Sequence, residues 1–419
     1  MTPDLDVQPD RLLERLHALA TFSADPAPPP AVTRVVYTQP DRDARAYLVN
    51  LCEEAGLAVR VDPIGNTFAR WTPPGIDPAA PAVGTGSHVD AIPNAGMYDG
   101  TVGVLGGLEA IQQLQAAGFT PKRPVELLIF TSEEPTRFGL GCLGSRALAG
   151  VLTPDDLRQL QDPDGVSLDD ARAAAGFAGD LADVRLPENH YDAWVELHIE
   201  QGPVLERKHI PIGIVMGIAA PATTIFTAHG EGGHAGAVLM PDRRDALCAA
   251  AEAVHGIEQL ARSSPSPDLV ATVGELDVFP GAVNSIPSHV RFTLDLRDTD
   301  EANRNGIAES IDAELANIAR RRGVRFDTQK LNADAPAACD KRVSDAAEAA
   351  CDRAGLRWWK MVSRAYHDSL FLARLAPTGM VFVPCRGGVS HRPDEHAEPA
   401  DLAAGVEVLA HTLAELSRR

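Results

Sequence analysis

Val125-Glu126-Leu127-Leu128-Ile129-Phe130-Thr131-Ser132-Glu133-Glu134 is an apolar run that ends on two adjacent acids. Such a run reads as a buried strand, and in a sheet of parallel strands the chemistry gathers past the carboxyl ends. Upstream, 82–89 is a second short apolar strand ending on His88-Val89-Asp90, followed by Asp99 in the turn Tyr98-Asp99-Gly100. Downstream, His198 lies in Glu196-Leu197-His198-Ile199-Glu200, and His391 closes Gly387-Gly388-Val389-Ser390-His391. Two histidines, a shared aspartate, a glutamate and a third histidine are what two adjacent divalent ions need, and Glu133 is left over as a base.

Each residue also has a plainer reading. His88 alone would be a strand histidine hydrogen-bonded in the core, Asp99 an N-cap, and Glu133-Glu134 a solvated acidic turn. His88 and Asp90, two apart on a strand end, point the same way, so Asp90 is expected to take the second imidazole N–H of a metal-bound His88. Neighbours on an extended segment point in opposite directions, so one of the pair can ligate while the other faces the substrate water. His198 alternates with Val195, Leu197 and Ile199, which puts it between Glu196 and Glu200 on a polar face. The glycine pair before His391 lets backbone approach closely. Five such signals, in order on suitable elements, reinforce one another.

Other motifs fail. Gly84-Thr85-Gly86-Ser87-His88-Val89 lacks the third glycine of a dinucleotide fingerprint, and Glu231-Gly232-Gly233-His234 lacks the Lys-Ser/Thr of a phosphate loop. His367-Asp368-Ser369 is contiguous and cannot form a serine triad, and no G-x-S-x-G is present.

With 419 residues the chain is long for one domain. Its net charge of −20 argues against nucleic acid and anionic membrane surfaces as partners. No run approaches a membrane span. The acidic N-terminus, Met1-Thr2-Pro3-Asp4-Leu5-Asp6, has no apolar core for a signal peptide. Six scattered cysteines without a C-x-x-C pair read as free thiols in a reducing cytoplasm. Cys142 and Cys385, near the metal segments, read as small buried residues.

Helical spacing predicts helices over 11–20, 44–54 and 103–117, the last with Leu105, Leu108, Ile111 and Leu114 on one side. A hairpin is expected over 59–70, around Pro63-Ile64-Gly65-Asn66, and Pro26-Ala27-Pro28-Pro29-Pro30 is a rigid loop. Strands alternating with helices imply an α/β fold with a mostly parallel sheet flanked by helices. Between His198 and His391 the texture changes. A strand at 222–228, helix at 243–261, strands at 268–278 and 290–297, and helix at 299–322 follow a ferredoxin-like α+β order. The expectation is a discontinuous catalytic domain, 1–215 and 330–419, interrupted by an insert at 216–329.

Gly86-Ser87-His88-Val89-Asp90, Tyr98-Asp99-Gly100, Ser132-Glu133-Glu134, Glu196-Leu197-His198-Ile199-Glu200-Gln201-Gly202-Pro203 and Gly233-His234-Ala235-Gly236 resemble the aminoacylase-like metallopeptidase superfamily. More narrowly, they resemble its amidohydrolase branch of N-carbamoyl-L-amino acid, allantoate and ureidoglycolate amidohydrolases, from about residue 10 to the end. His198 points to that branch, since the peptidases carry an acid there. The resemblance implies a zinc-peptidase-like fold in which His88, Asp99 and His198 hold one ion and Asp99, Glu134 and His391 the other. It implies that Glu133 is the general base, and that Gln201, His234, Asn284 and Arg297 bind substrate. It also implies that the insert dimerises and sends its histidine to the neighbouring subunit's site.

One stretch departs. Ser363-Arg364-Ala365-Tyr366-His367-Asp368-Ser369 stands where the carbamoylase and allantoate branches read Ser-Gly-Ala-Gly-His-Asp-Ala. With Thr131 to Phe138 and Ala219-Ala220-Pro221, it looks most like the ureidoglycolate amidohydrolases. Tyr366 in place of glycine shrinks the pocket, and Tyr366 or His367 is placed to bond a substrate hydroxyl. The expected protein is a cytoplasmic homodimer holding two ions of Mn, Zn, Co or Ni and cleaving a small ureido acid. The rivals are a carbamoyl amino acid or allantoate hydrolase and, from another class, a metal-dead binding or scaffold protein.

Overall fold

The computed structural model describes residues 5, 7, 9–24 and 31–418. The signal-peptide reading of the N-terminus (Leu5 apart) and the proline loop at 26–30 lie outside the described residues.

Two compact units emerge. The first comprises Met1–Met216, Cys339–Met361 and His367–Arg419, the second Gly217–Ala338 and Val362–Tyr366. The expected end of the insert at 329 therefore falls short. Strand Arg325–Ala333 is laddered along Ala220–His229, which keeps the chain in the second sheet past that point. Val362–Tyr366 joins the same unit, where the Arg364 guanidinium pairs with Asp268.

In the first unit, strands Thr378–Val383, Tyr191–Ile199, Ala82–His88 and Val125–Phe130 lie side by side and parallel. Being covered on both faces, such strands read as apolar runs, and all six residues of Val125–Phe130 are buried. The expected hairpin, Ala58–Val61 and Thr67–Trp71, adds two antiparallel strands at one side. Its turn is set by Asp62, whose carboxylate accepts the N–H groups of Ile64, Gly65 and Asn66. Ile212–Ile218 runs antiparallel on the other side. The sheet is thus parallel at its centre and mixed as a whole.

Helix Thr101–Ala116 was expected to be apolar on one side, but is buried almost all round. It packs on the sheet and against helix Pro399–Leu416, so Val102 and Val104 are as buried as Leu105 and Ile111. Its first turn follows Asp99-Gly100 directly, which anchors that turn in the core.

The second unit is a sheet in the order Val270–Thr272, His289–Asp298, Ala220–His229, Arg325–Ala333, every pair antiparallel. In chain order that is 2-3-1-4, the ferredoxin-like arrangement. Helices Ala246–Arg262 and Glu301–Arg322 share a core with Phe226, Phe292 and Leu296. Both helices start at a capping aspartate, Asp245 and Asp300, whose carboxylates accept the first free N–H groups. The single strand expected at 268–278 is two, Val270–Thr272 and Leu276–Phe279. Four residues advance from Thr272 to Leu276 while the facing strand advances three, from Asp295 to Phe292, which is a bulge.

Among the described residues no helix is long and apolar enough to cross a membrane.

Candidate metal centre and active site

His88 is the last residue of its strand. Its Nδ1 lies 3.0 Å from the backbone carbonyl oxygen of Asp90. The Asp90 carboxylate, expected to fill that place, is 3.8 Å away. It instead accepts the N–H of Glu133 at 3.2 Å and of Glu134 at 3.0 Å. A buried carboxylate needs donors, and the acidic pair's backbone supplies two. Asp90 is therefore a clamp on Glu133-Glu134 rather than the hydrogen-bond acceptor of His88, and burial pushes its carboxyl up to about 6.

Asp99 sits just before Gly100, the N-cap of helix Thr101–Ala116, so the capping alternative falls to the glycine. Gly100 is at φ 66, and a Cβ there would lie 2.5 Å from the His88 ring. Only glycine lets this turn close over the imidazole. The two oxygens of Asp99 divide their neighbours. Oδ1 is 3.2 Å from His198 Nε2 and 3.8 Å from His88 Nε2, while Oδ2 is 3.1 Å from His391 Nε2.

The acidic pair diverges as alternation demands. Glu134 Oε1 is 3.3 Å from His391 Nε2. Glu133 Oε2 is 3.8 Å from His88 Nε2, and its Oε1 accepts the Cys142 thiol at 3.6 Å. His198 and His391 reach the site differently. His198 lies in a strand buried on both faces, its Nδ1 2.9 Å from the Ile199 carbonyl oxygen. His391 is on a loop at φ 59, with its side chain about half exposed. Gly388 before it touches the Gly202-Pro203 backbone so closely that a Cβ would meet Pro203 N at 2.6 Å.

Two groups of ligand atoms result, His88–Asp99–His198 and Asp99–Glu134–His391, each within 4.8 Å and joined through Asp99. The donor set suits divalent ions. The ion pairs described for Asp99, Glu133 and Glu134 are all to histidines. Burial penalises the Asp99 carboxylate, yet hydrogen bonds from His198 and His391 hold it well below its usual range. In return His391 is drawn up to about 11 by Asp99 and Glu134, and His198 to about 9 by Asp99 against its own burial. Burial, then Glu134 beside it, raises Glu133 well above a normal carboxyl. The cluster of buried carboxylates calls for positive charge, which divalent ions at these ligands would supply.

Glu196 and Glu200 flank His198 as expected but face the interior. Glu196 accepts the hydroxyls of Ser87 and Ser369, and Glu200 accepts the N–H groups of Val204 and Leu205, capping the short helix Val204–Lys208. Glu196, His198 and His367 also cluster within ligand distance. The ring nitrogens of His198 already face the Ile199 carbonyl and Asp99, so a third ion has no use of it.

Of the expected substrate contacts, Gln201 joins the metal ligands, donating to Asp99 Oδ2 at 2.9 Å. His234 and Asn284 are neighbours in the second unit, where the Ala235 N–H donates to the Asn284 carbonyl. His234 Nδ1 accepts the Gly236 N–H, which leaves the ring proton on Nε2. Arg297 forks onto Asp295, at 2.7 and 2.8 Å, on the same strand. The unit boundary falls between Tyr366 and His367. The Tyr366 hydroxyl donates to Asp334 Oδ2 at 3.2 Å in the second unit. His367 is 2% exposed in the first, its ring 4.6 Å from that of His198 and edge-on to it. That burial fits a support for His198 better than the substrate contact expected of it.

Sequence reasoning missed Glu395. Its Oε1 accepts the N–H of Tyr98 and Asp99, its Oε2 the Ser390 hydroxyl, and burial lifts its carboxyl to about 7. The stretch Pro393-Asp394-Glu395 reads as a solvated turn, so nothing local marks it.

The chain resembles known proteins along its whole length. The description of peptidase family M20/M25/M40 matches residues 84–415. A ureidoglycolate hydrolase of Arabidopsis thaliana is 49% identical, across 100% of this chain and 88% of its own. An N-carbamoyl-L-amino acid amidohydrolase of Geobacillus stearothermophilus is 41% identical, across 98% and 99%. The crystal structure of AtUAH in complex with glyoxylate superimposes with a TM-score of 0.90 at 48% identity, covering 99% of this chain and 98% of that one.

Proposed function

The chain belongs to peptidase family M20/M25/M40 and is an amidohydrolase, and from that premise we propose that it hydrolyses (S)-ureidoglycolate. The observation that carries the chemistry is Asp99, with one oxygen on His198 and the other on His391. In this reading two divalent ions, drawn from Mn, Zn, Co or Ni, are held by His88, Asp99 and His198 and by Asp99, Glu134 and His391. Bound there, they supply a more acidic water and polarise the ureido carbonyl.

The protein's own residues do the rest. Glu133 takes the proton of the attacking water and passes it to the departing ammonia. His234, with its proton on Nε2, donates to the developing oxyanion. Arg297, oriented by Asp295, and Asn284 hold the substrate carboxylate. Loss of ammonia leaves a carbamate that releases CO2, and the remaining hydroxyglycine collapses to glyoxylate and a second ammonia.

The substrate rests on chain-long likeness to ureidoglycolate hydrolases and on the reading of Tyr366 as the group that bonds the substrate hydroxyl. A site built to bond a hydroxyl rejects the analogue that lacks it far better than it rejects a missing methylene. Ammonia release is therefore expected to favour ureidoglycolate over carbamoyl-glycine by at least about a hundredfold in kcat/KM. Parity, or preference for bulky carbamoyl amino acids, would move the protein to the carbamoylase reading, which the 41% identity to the Geobacillus enzyme keeps second. Allantoate belongs in the same panel. The scaffold reading is set aside, because all five ligands and the base occur together.

The second unit is the proposed dimer contact. Arg325–Ala333 is an edge strand with one neighbour, and most of it is exposed, a surface suited to pairing about a two-fold axis. If His234 serves the neighbouring site, mixing inactive His234→Ala and Glu133→Gln subunits restores activity, since one site in each mixed dimer has both groups. No recovery after proven exchange would place His234 in its own chain's site or outside the chemistry.

A further inference from the structure

Glu133 is fixed by its main chain from both sides. Asp90 holds its N–H, and the N–H groups of Cys142, Leu143 and Gly144 donate to the carbonyls of Glu133, Ser132 and Thr131 at 2.8, 2.9 and 2.9 Å. Those bonds place the backbone but leave the carboxylate free to turn about its own side-chain bonds. Among the described residues, the one hydrogen-bond donor to that carboxylate is the Cys142 thiol, 3.6 Å from Oε1. Oε2 then faces His88.

Cys142 stands in the left-handed region, at φ 56. Glycine or asparagine adopts that conformation more readily. The position thus carries a side chain at some conformational cost, and this one is wholly buried. Behind the thiol lies Asp368, also buried. Its Oδ1 accepts the Ser145 hydroxyl, which also lies 3.2 Å from the Cys142 carbonyl oxygen, and its Oδ2 has no hydrogen-bond partner. The thiol thus meets the Glu133 carboxylate with a second buried carboxylate, Asp368, nearby. Asp368 carries no described ion pair, and burial raises its carboxyl well above the usual range.

We propose that the Cys142 thiol, backed by Asp368, is a positioning group that aims the Glu133 carboxylate. One oxygen is tied to sulfur, and the other is left to take the proton. The contiguous His367-Asp368-Ser369 stretch acquires a role in this way. It is a supporting turn beneath the site, with His367 against His198 and Asp368 behind the sulfur. This inference rests on Glu133 being the base.

The test uses the metal-loaded enzyme and four variants, reading kcat, KM, metal content and Tm. Cys142→Ala is expected to lower kcat about tenfold, the scale of one hydrogen bond, with KM, metal content and Tm nearly unchanged. Cys142→Ser, which keeps a donor, should recover most of that loss. Asp368→Asn, which keeps the shape but replaces the carboxyl group, should also lower kcat at constant KM. A Cys142→Ala enzyme at full kcat, beside an inactive Glu133→Gln, would overturn the inference and leave the base in place. So would a loss shared by kcat, KM and Tm that serine does not rescue. An active Glu133→Gln would instead remove the base reading and the inference with it.

Discussion

Glu133→Gln is expected to lower kcat by about three to four orders of magnitude while both metals stay bound. Positioned general acid–base groups contribute roughly 10²–10⁴-fold, and Glu133 is assigned both proton transfers. A loss of that size is about 4–5.5 kcal/mol of transition-state stabilisation. Metal should survive, because Glu133 lies outside both ligand groups, its oxygens facing His88 and Cys142. Glutamine keeps the shape and can still meet the thiol. Glu134→Gln is the contrast. Its carboxylate faces His391, so the change should weaken one ion and be partly relieved by excess metal. A Glu133→Gln protein that loses metal yet turns over at saturating metal would reverse the two roles. The comparison needs metal analysis beside steady-state rates on one preparation.

That the two glutamates diverge was legible in the sequence, because neighbours on an extended segment point apart. The same logic placed His88, Glu133-Glu134 and His198 at the carboxyl ends of parallel strands, where apolar runs meet polar residues. Periodicity also gave the hairpin at 59–70 and the ferredoxin-like order of the second unit. What stayed hidden depends on contacts far apart in the chain. Glu395 looks like any acid in a surface turn, and only its burial against Tyr98 and Asp99 marks it as part of the site. Asp90 had the right neighbour but the wrong bond, since the backbone of Glu133-Glu134 competes for its carboxylate. Glu200 seemed to flank a ligand, yet it caps a five-residue helix. The end of the second unit was missed because nothing in 325–333 except pairing with Ala220–His229 assigns it to that sheet.

Asp99 carries the other large expectation, because both ligand groups include it. Asp99→Ala should remove both ions and all measurable activity, whereas His391→Ala should cost mainly the ion that His391 shares with Glu134. The physical ground is the division of its oxygens, Oδ1 toward His198 and His88, Oδ2 toward His391. Supporting changes around a metal typically cost 10–100-fold in affinity, and loss of a shared ligand should exceed that at each ion. Folding is not expected to fail, since the turn that carries Asp99 is held independently by Glu395 and by Gly100 packed on His88. Metal analysis after loading with excess Mn or Zn should fall from near two ions per chain to near none, at an unchanged far-ultraviolet spectrum. If Asp99→Ala kept two ions, the bridge would be wrong. If it kept one, Asp99 would belong to a single half-site, and the two-metal reading would have to find its second carboxylate elsewhere.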